Sequence, residues 1–197
     1  MAPPVSPNQL TVLRMALVPL FILLIVYGHF GWAITAFVIA GVTDGLDGLI
    51  ARRWGKKTPL GTFLDPIADK LLLVSSFAAL TFGSVDLIVR IPLWLTITVI
   101  SRDFLLVLSV LVFNLTIDRR VFPPSILGKC TTVVQLAFVL LVLSSNFAGR
   151  ELPGLDILVY LALLVTVASG LHYMVQGMAV VGRDSRDSSV SDLNQPR

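Results

Sequence analysis

The chain has 197 residues, of which 55% are hydrophobic and only 14% charged, and its mean hydropathy is +0.87. Soluble domains carry about 25% charged residues, so the composition excludes an ordinary soluble enzyme and indicates an integral membrane protein. The net charge of +3 is spread over particular connections rather than gathered in one patch. That distribution argues against nucleic acid as a partner and suits an anionic lipid surface.

Six apolar segments follow one another: Leu10–Tyr27, Trp32–Ile50, Leu60–Phe82, Leu87–Leu115, Ser125–Phe147 and Leu155–Val181. Each approaches or exceeds the ~20 residues that cross a bilayer as a helix. They lack the period-two alternation of barrel strands, which leaves helices as the way to satisfy the backbone in lipid. Short connections marked by Gly28, Gly31, Gly83, Pro123, Pro124, Gly149, Pro153 and Gly154 separate them. The expected fold is an all-α integral membrane bundle of six transmembrane helices over residues 1–182. A polar Ser/Asp-rich tail, residues 183–197, is expected to be disordered. The first segment is not read as a cleaved signal, because Arg14 lies inside it and no basic cluster precedes it. Cys130 is the single cysteine, which excludes an internal disulfide.

Basic residues orient the bundle. The second-to-third connection holds Arg52, Arg53, Lys56 and Lys57, the fourth-to-fifth holds Arg119, Arg120 and Lys129, and the tail holds Arg183, Arg186 and Arg197. The opposite connections offer Arg90 and Arg150. The positive-inside rule puts both termini on the cytoplasmic side of the cell's inner membrane, with Trp32 and Trp94 near an interface. No convincing internal repeat is present, which counts against an inverted-repeat transporter.

The chemistry concentrates between Thr43 and Asp69, where the chain reads TDGLDGLIARRWGKKTPLGTFLDPIAD. This fits D-x2-D-G-x2-A-R-x8-G-x3-D-x3-D. Asp44 and Asp47 are three apart and Asp65 and Asp69 four apart, so on helices each pair shares a face. Four acids converging at the ends of apolar segments would repel one another unless divalent cations held them. Hard oxygen ligands of this kind select Mg²⁺ or Mn²⁺ over zinc. Gly45 and Gly48 leave the backbone open to close approach, and Arg52, four beyond Gly48, suits a phosphate held by the metals. Taken singly, Asp65 before Pro66 also suits a helix cap, and Lys70 an ion partner for Asp69.

The Asp44–Asp69 pattern resembles the signature of the CDP-alcohol phosphatidyltransferases, integral membrane enzymes of phospholipid synthesis. Pro7-Asn8-Gln9-Leu10-Thr11 followed by Arg14 and Pro19 is similar to the amino-terminal motif of bacterial members, and the six-helix plan matches as well, so the likeness covers most of Pro7 to Met178. It implies that Asp44, Asp47, Asp65 and Asp69 bind two divalent cations and that Asp69 also accepts the proton. It implies too that Gly48, Arg52 and Thr58, with Pro7 to Leu10, contact the CDP part of a CDP-diacylglycerol donor. A homodimer is a further implication. The chemistry agrees, since two metals would neutralise a pyrophosphate and a carboxylate would serve as general base. His29 and His172 belong to no Ser–His or Cys–His set, so direct transfer without a covalent intermediate is the simpler mechanism.

The acceptor is read from the fourth and fifth segments. Arg102 and Asp103 fall inside an apolar helix, either as a self-satisfied pair stitching helices or as an acceptor pocket in which Arg102 grips an anionic headgroup. Lys129, opening the fifth helix, would join it. Phosphatidylglycerophosphate synthases of the family commonly show Arg-Glu and G-K-x-K-T at these places, and cardiolipin synthases often Arg-Asp and S-K-x-N-T. This chain has Arg102-Asp103 and Gly128-Lys129-Cys130-Thr131-Thr132, a mixture of the two. Glycerol 3-phosphate is the first expectation for the acceptor and phosphatidylglycerol the alternative. A divalent-cation transporter is a remote third reading, which would want carboxylates near mid-bilayer.

Overall fold

The computed structural model describes the backbone of residues 7–54, 59–83, 86–116 and 126–193, and the side chains within residues 13–43, 70–83, 86–108 and 127–175. Six helices occupy these stretches: α1 (Pro7–Val26), α2 (Phe30–Trp54), α3 (Pro59–Phe82), α4 (Leu93–Thr116), α5 (Ile126–Ala148) and α6 (Leu155–Leu193). No strand occurs among the described residues. Two of the helices, over Leu127–Ala148 and Leu155–Val175, are long and apolar enough among the described residues to cross a membrane. Leu13–Val26, Phe30–Thr43 and Lys70–Phe82 are shorter apolar stretches.

The helix ends have local causes. Gly28 takes φ 73° after α1, and the amides of Gly28 and His29 return to the carbonyls of Ile25 and Leu24 at 2.9 and 2.8 Å. This is the Schellman stop, whose left-handed residue favours glycine. Gly149 at φ 69° ends α5 similarly, with the Arg150 amide on the Ser145 carbonyl at 3.2 Å. Pro59 opens α3, where its missing N–H is harmless. Asp65 therefore lies beyond the first turn and is not the helix cap.

Two boundaries differ from expectation. The fourth segment was expected to be helical from Leu87, yet α4 starts at Leu93. Residues 86–92 instead form a strap held by Asn146 of α5. The Asn146 side chain donates to the Val89 carbonyl at 2.9 Å and accepts from the Val89 amide at 3.2 Å, while the Ile91 amide reaches the Leu80 carbonyl at 3.3 Å. Pro92 then starts the helix by accepting from Leu95 and Thr96. At the other end of the chain, α6 stays helical to Leu193, past residue 182. No proline interrupts it before Pro196, and each further residue in a helix adds a hydrogen bond.

The helices close into a ring. Going round it, α1 packs on α2, α2 on α5, α5 on α6, α6 on α4, α4 on α3 and α3 on α1, with α3 also touching α5 across the centre. Ala33, Ala36 and Ala40 of α2 are buried, small residues that let α1 and α2 approach closely. Phe21 of α1 and Phe37 of α2 meet at 5.7 Å between ring centroids, and Phe77 of α3 and Phe138 of α5 at 6.0 Å. The apolar core thus fills the half of the bundle near the Gly28 and Gly149 turns. The acids belong to the other half.

Candidate functional site

Helix α2 runs unbroken through Asp44, Asp47, Gly48 and Arg52, and α3 through Asp65 and Asp69. Positions three or four apart lie on one side of a helix backbone, so each pair shares a face of its helix. The side chains of these residues, and those of Pro7, Asn8, Gln9 and Leu10 in the first turn of α1, lie outside the described residues. Thr58 lies outside them altogether. Among the described residues there is no cluster of three or more His, Cys, Asp or Glu. The aspartate set of α2 and α3 is all-oxygen and anionic, a donor chemistry that fits Mg²⁺ or Mn²⁺.

What the structure does describe is the floor beneath those acids. Thr43, directly before Asp44, is buried and donates to the Ile39 and Ala40 carbonyls. Lys70 follows Asp69. Around the ring at this level stand Arg14 on α1, Lys70 on α3, Arg102 and Asp103 on α4, Thr131, Thr132 and Gln135 on α5, and Thr166 and Ser169 on α6. A cavity of about 140 Å³ is lined by Arg14, Gly41, Lys70, Leu72, Leu73, Thr132 and Leu136. It therefore opens between α1, α2, α3 and α5, one to three residues from Asp44 and Asp69. Arg14 is 1% exposed, so α1 contributes a fully buried cation to the same space.

Asp103 is the hub of the layer. Its Oδ1 accepts from Lys70 Nζ at 2.7 Å and from Arg102 Nη1 at 2.6 Å. Arg102 Nη2 donates to Ser169 Oγ of α6 at 2.6 Å, and the guanidinium sits 5.9 Å from the Tyr173 ring centroid. One carboxylate thereby ties α3, α4 and α6 together. The sequence reading had offered Lys70 to its neighbour Asp69. Lys70 Nζ pairs with Asp103, on α4, while the side chain of Asp69 lies outside the described residues. Of the two readings of Arg102 and Asp103, the stitching of helices is directly visible.

The other candidates separate. Arg102 is buried, whereas Lys129, near the start of α5, is exposed, and among the described residues α4 does not pack on α5. The Thr131 hydroxyl faces the Leu127 and Val165 carbonyls at 2.8 and 3.1 Å. Gln135 donates to Thr166 Oγ1 at 3.1 Å, joining α5 to α6. His29 is exposed in the α1–α2 turn, and His172 packs edge-on against Tyr173 at 6.3 Å. A cavity of about 580 Å³ around His29, Trp32 and Phe147 lies at the far end from the acids and contains no candidate residue.

Sequence reasoning missed Asp103 as a hub, the role of Ser169 and the place of Arg14 in the cavity. A charge inside an apolar run marked Arg14 and Asp103 as needing partners. Nothing marked Ser169, because serine is unremarkable in such a helix.

Sequence comparisons add to the geometry. The family described as CDP-alcohol phosphatidyltransferase matches residues 4–171. A Streptomyces coelicolor protein named "Cardiolipin synthase (CMP-forming)" is 38% identical over 150 residues, 71% of this chain and 66% of that protein. A Mycobacterium tuberculosis protein named "Probable phosphatidylglycerophosphate synthase" is 36% identical over 185 residues, 89% of this chain and 82% of that one. The Bacillus subtilis "CDP-diacylglycerol--glycerol-3-phosphate 3-phosphatidyltransferase" is 34% identical over 185 residues, 85% and 92% of the respective chains.

Proposed function

Since the chain belongs to the CDP-alcohol phosphatidyltransferase family, we propose that it transfers the phosphatidyl group of CDP-diacylglycerol to a glycerol-based alcohol and releases CMP. The observation that carries this reading is the family's full aspartate pattern on two continuous helices, α2 and α3, a few residues from a cavity lined in part by Arg14, Lys70 and Thr132. The acceptor hydroxyl attacks the phosphatidyl phosphorus, a new phosphodiester bond forms, and the phosphoanhydride bond to CMP breaks with the electron pair leaving on CMP.

Asp69 takes the hydroxyl proton, a step worth about 10²–10⁴-fold as general-base catalysis. Gly48, Arg52, Thr58 and the stretch Pro7 to Leu10 hold the CDP part of the donor, so that the reacting phosphorus stays above the α1–α2–α3–α5 cavity. Asp44, Asp47, Asp65 and Asp69 suit two Mg²⁺ or Mn²⁺ ions, which when bound neutralise the pyrophosphate and stabilise the departing CMP. Arg102 and Lys129 supply positive charge on the acceptor side. In this reading all six helices span the inner membrane, with both termini and the aspartates on the cytoplasmic side, and residues 183–197 extend beyond a membrane domain of residues 1–182. The working form is a homodimer.

Two acceptors satisfy this chemistry: glycerol 3-phosphate, giving phosphatidylglycerophosphate, and phosphatidylglycerol, giving cardiolipin. The names of the relatives support both. Purified protein supplied with labelled CDP-diacylglycerol, Mg²⁺ and each acceptor should yield one of these lipids and CMP, and chelation should abolish it. Full activity after exhaustive chelation, or no transfer to any alcohol, refutes the reading.

A further inference from the structure

The polar layer has a side opening on the seam between α4 and α6. A cavity of about 530 Å³ lies there, with Arg102 and Tyr173 in its wall beside a mainly apolar lining that includes Ile97, Leu105, Val167 and Leu171. Ile97, Leu105, Val167 and Leu171 are 56%, 44%, 44% and 59% exposed. A helix surface this apolar faces lipid rather than water. The seam is therefore a slot open to the bilayer, with a buried guanidinium in its wall.

Among the described residues the charge of the slot is not balanced locally. Two cations, Lys70 and Arg102, share the single carboxylate Asp103, so this triad carries one surplus positive charge. Arg102 is 5% exposed, and its Nε has no hydrogen-bond partner among the described residues. A surplus charge in apolar surroundings is expensive unless an anion joins it.

We propose that the α4–α6 slot seats an acyl chain of a phospholipid acceptor, whose anionic headgroup with its free glycerol hydroxyl is drawn to Arg102. This rests on the transferase reading above and names its acceptor class as a lipid. The acceptor enters sideways from the bilayer rather than from water. A water-soluble acceptor has no use for an apolar slot facing lipid. The donor is the weaker candidate for the slot, because its proposed CDP contacts are Pro7 to Leu10 of α1, Gly48 and Arg52 of α2, and Thr58, and among the described residues α2 packs on neither α4 nor α6. Arg102 is linked toward the helix that carries the candidate base. The link runs through Asp103 to Lys70, the chain neighbour of Asp69.

Gly170 lines the slot, and a Cβ there would stand 3.7 Å from Arg102 Cγ. A methyl fits, while a longer side chain fills the space. The test uses full-length protein in lipid nanodiscs with Gly170→Leu and, on the exposed edge with less risk to folding, Val167→Trp. The acceptors are dioleoyl phosphatidylglycerol, dihexanoyl phosphatidylglycerol and glycerol 3-phosphate. We expect cardiolipin from the wild type and, in both variants, a KM for the dioleoyl lipid raised at least about tenfold, with the donor KM unchanged. The short-chain acceptor should be affected much less. Native mass spectrometry should find phosphatidylglycerol retained by the wild type and lost from both variants.

A wild type that uses glycerol 3-phosphate and ignores phosphatidylglycerol overturns the lipid acceptor while leaving the transferase reading intact. A shift in donor KM instead assigns the slot to the donor and overturns the proposal. If no acceptor is used at all, the transferase reading fails, and retention of phosphatidylglycerol unaltered by the variants would refute the slot independently.

Discussion

Replacing Asp103 by Asn tests whether one carboxylate holds the polar layer together. The side chain is 4% exposed and accepts from two cations at 2.7 and 2.6 Å, one of them itself 5% exposed. Asparagine keeps the volume but leaves Lys70 and Arg102 facing each other with no counter-charge among the described residues. Removing one partner of a buried pair costs about 3–5 kcal/mol, mostly through the charge left behind. Arg102→Gln takes the opposite path. It sacrifices the contacts to Asp103 and Ser169 but leaves Lys70 and Asp103 as a neutral pair, so its expected cost is smaller, about 1.5–3 kcal/mol. Thr81→Val breaks an ordinary interhelical hydrogen bond, that of Thr81 with Thr96 at 2.6 Å, and hydrogen bonds between membrane helices average about 0.6 kcal/mol. Reversible unfolding in mixed micelles should therefore rank Asp103→Asn above Arg102→Gln and both above Thr81→Val. Adding Lys70→Met should relieve much of the Asp103→Asn defect. If Asp103→Asn proves no worse than Thr81→Val, or Lys70→Met fails to rescue it, the charge argument is wrong.

Asp69→Asn should abolish phosphatidyl transfer while CDP-diacylglycerol still binds, as measured by direct titration of the purified variant; wild-type turnover would remove Asp69 from the role of base. Asn146→Leu should free the strap over residues 86–92, because the buried Val89 amide and carbonyl lose their partner and each unsatisfied group costs about 1–3 kcal/mol. Hydrogen exchange of the strap should speed up selectively, and unchanged protection at Val89 would contradict the assignment.

The helical class and much of the candidate site could be read before any coordinates. Apolar runs of ~20 residues force helices in lipid, and the periodicity of a helix puts Asp44 with Asp47 and Asp65 with Asp69 on common faces. The helix stops at Gly28 and Gly149 were legible for the same reason, since a glycine after an apolar run is a local instruction. The start of α4 was not. Leu87, Ile88, Val89 and Ile91 are as apolar as the helix they precede, and the strap exists because Asn146, 57 residues further on, satisfies Val89.

The same division runs through the site. Composition, spacing and the aspartate pattern are properties of the covalent chain, and they determined the helical membrane class, the family and the residues expected to bind metal. Partners across helices depend on how far each helix is rotated about its own axis and which neighbour it meets in the ring. No local window of sequence contains those quantities. Only the tertiary structure could decide that Lys70 reaches Asp103, that Arg102 reaches Ser169, and that a cavity lies on the seam between α4 and α6.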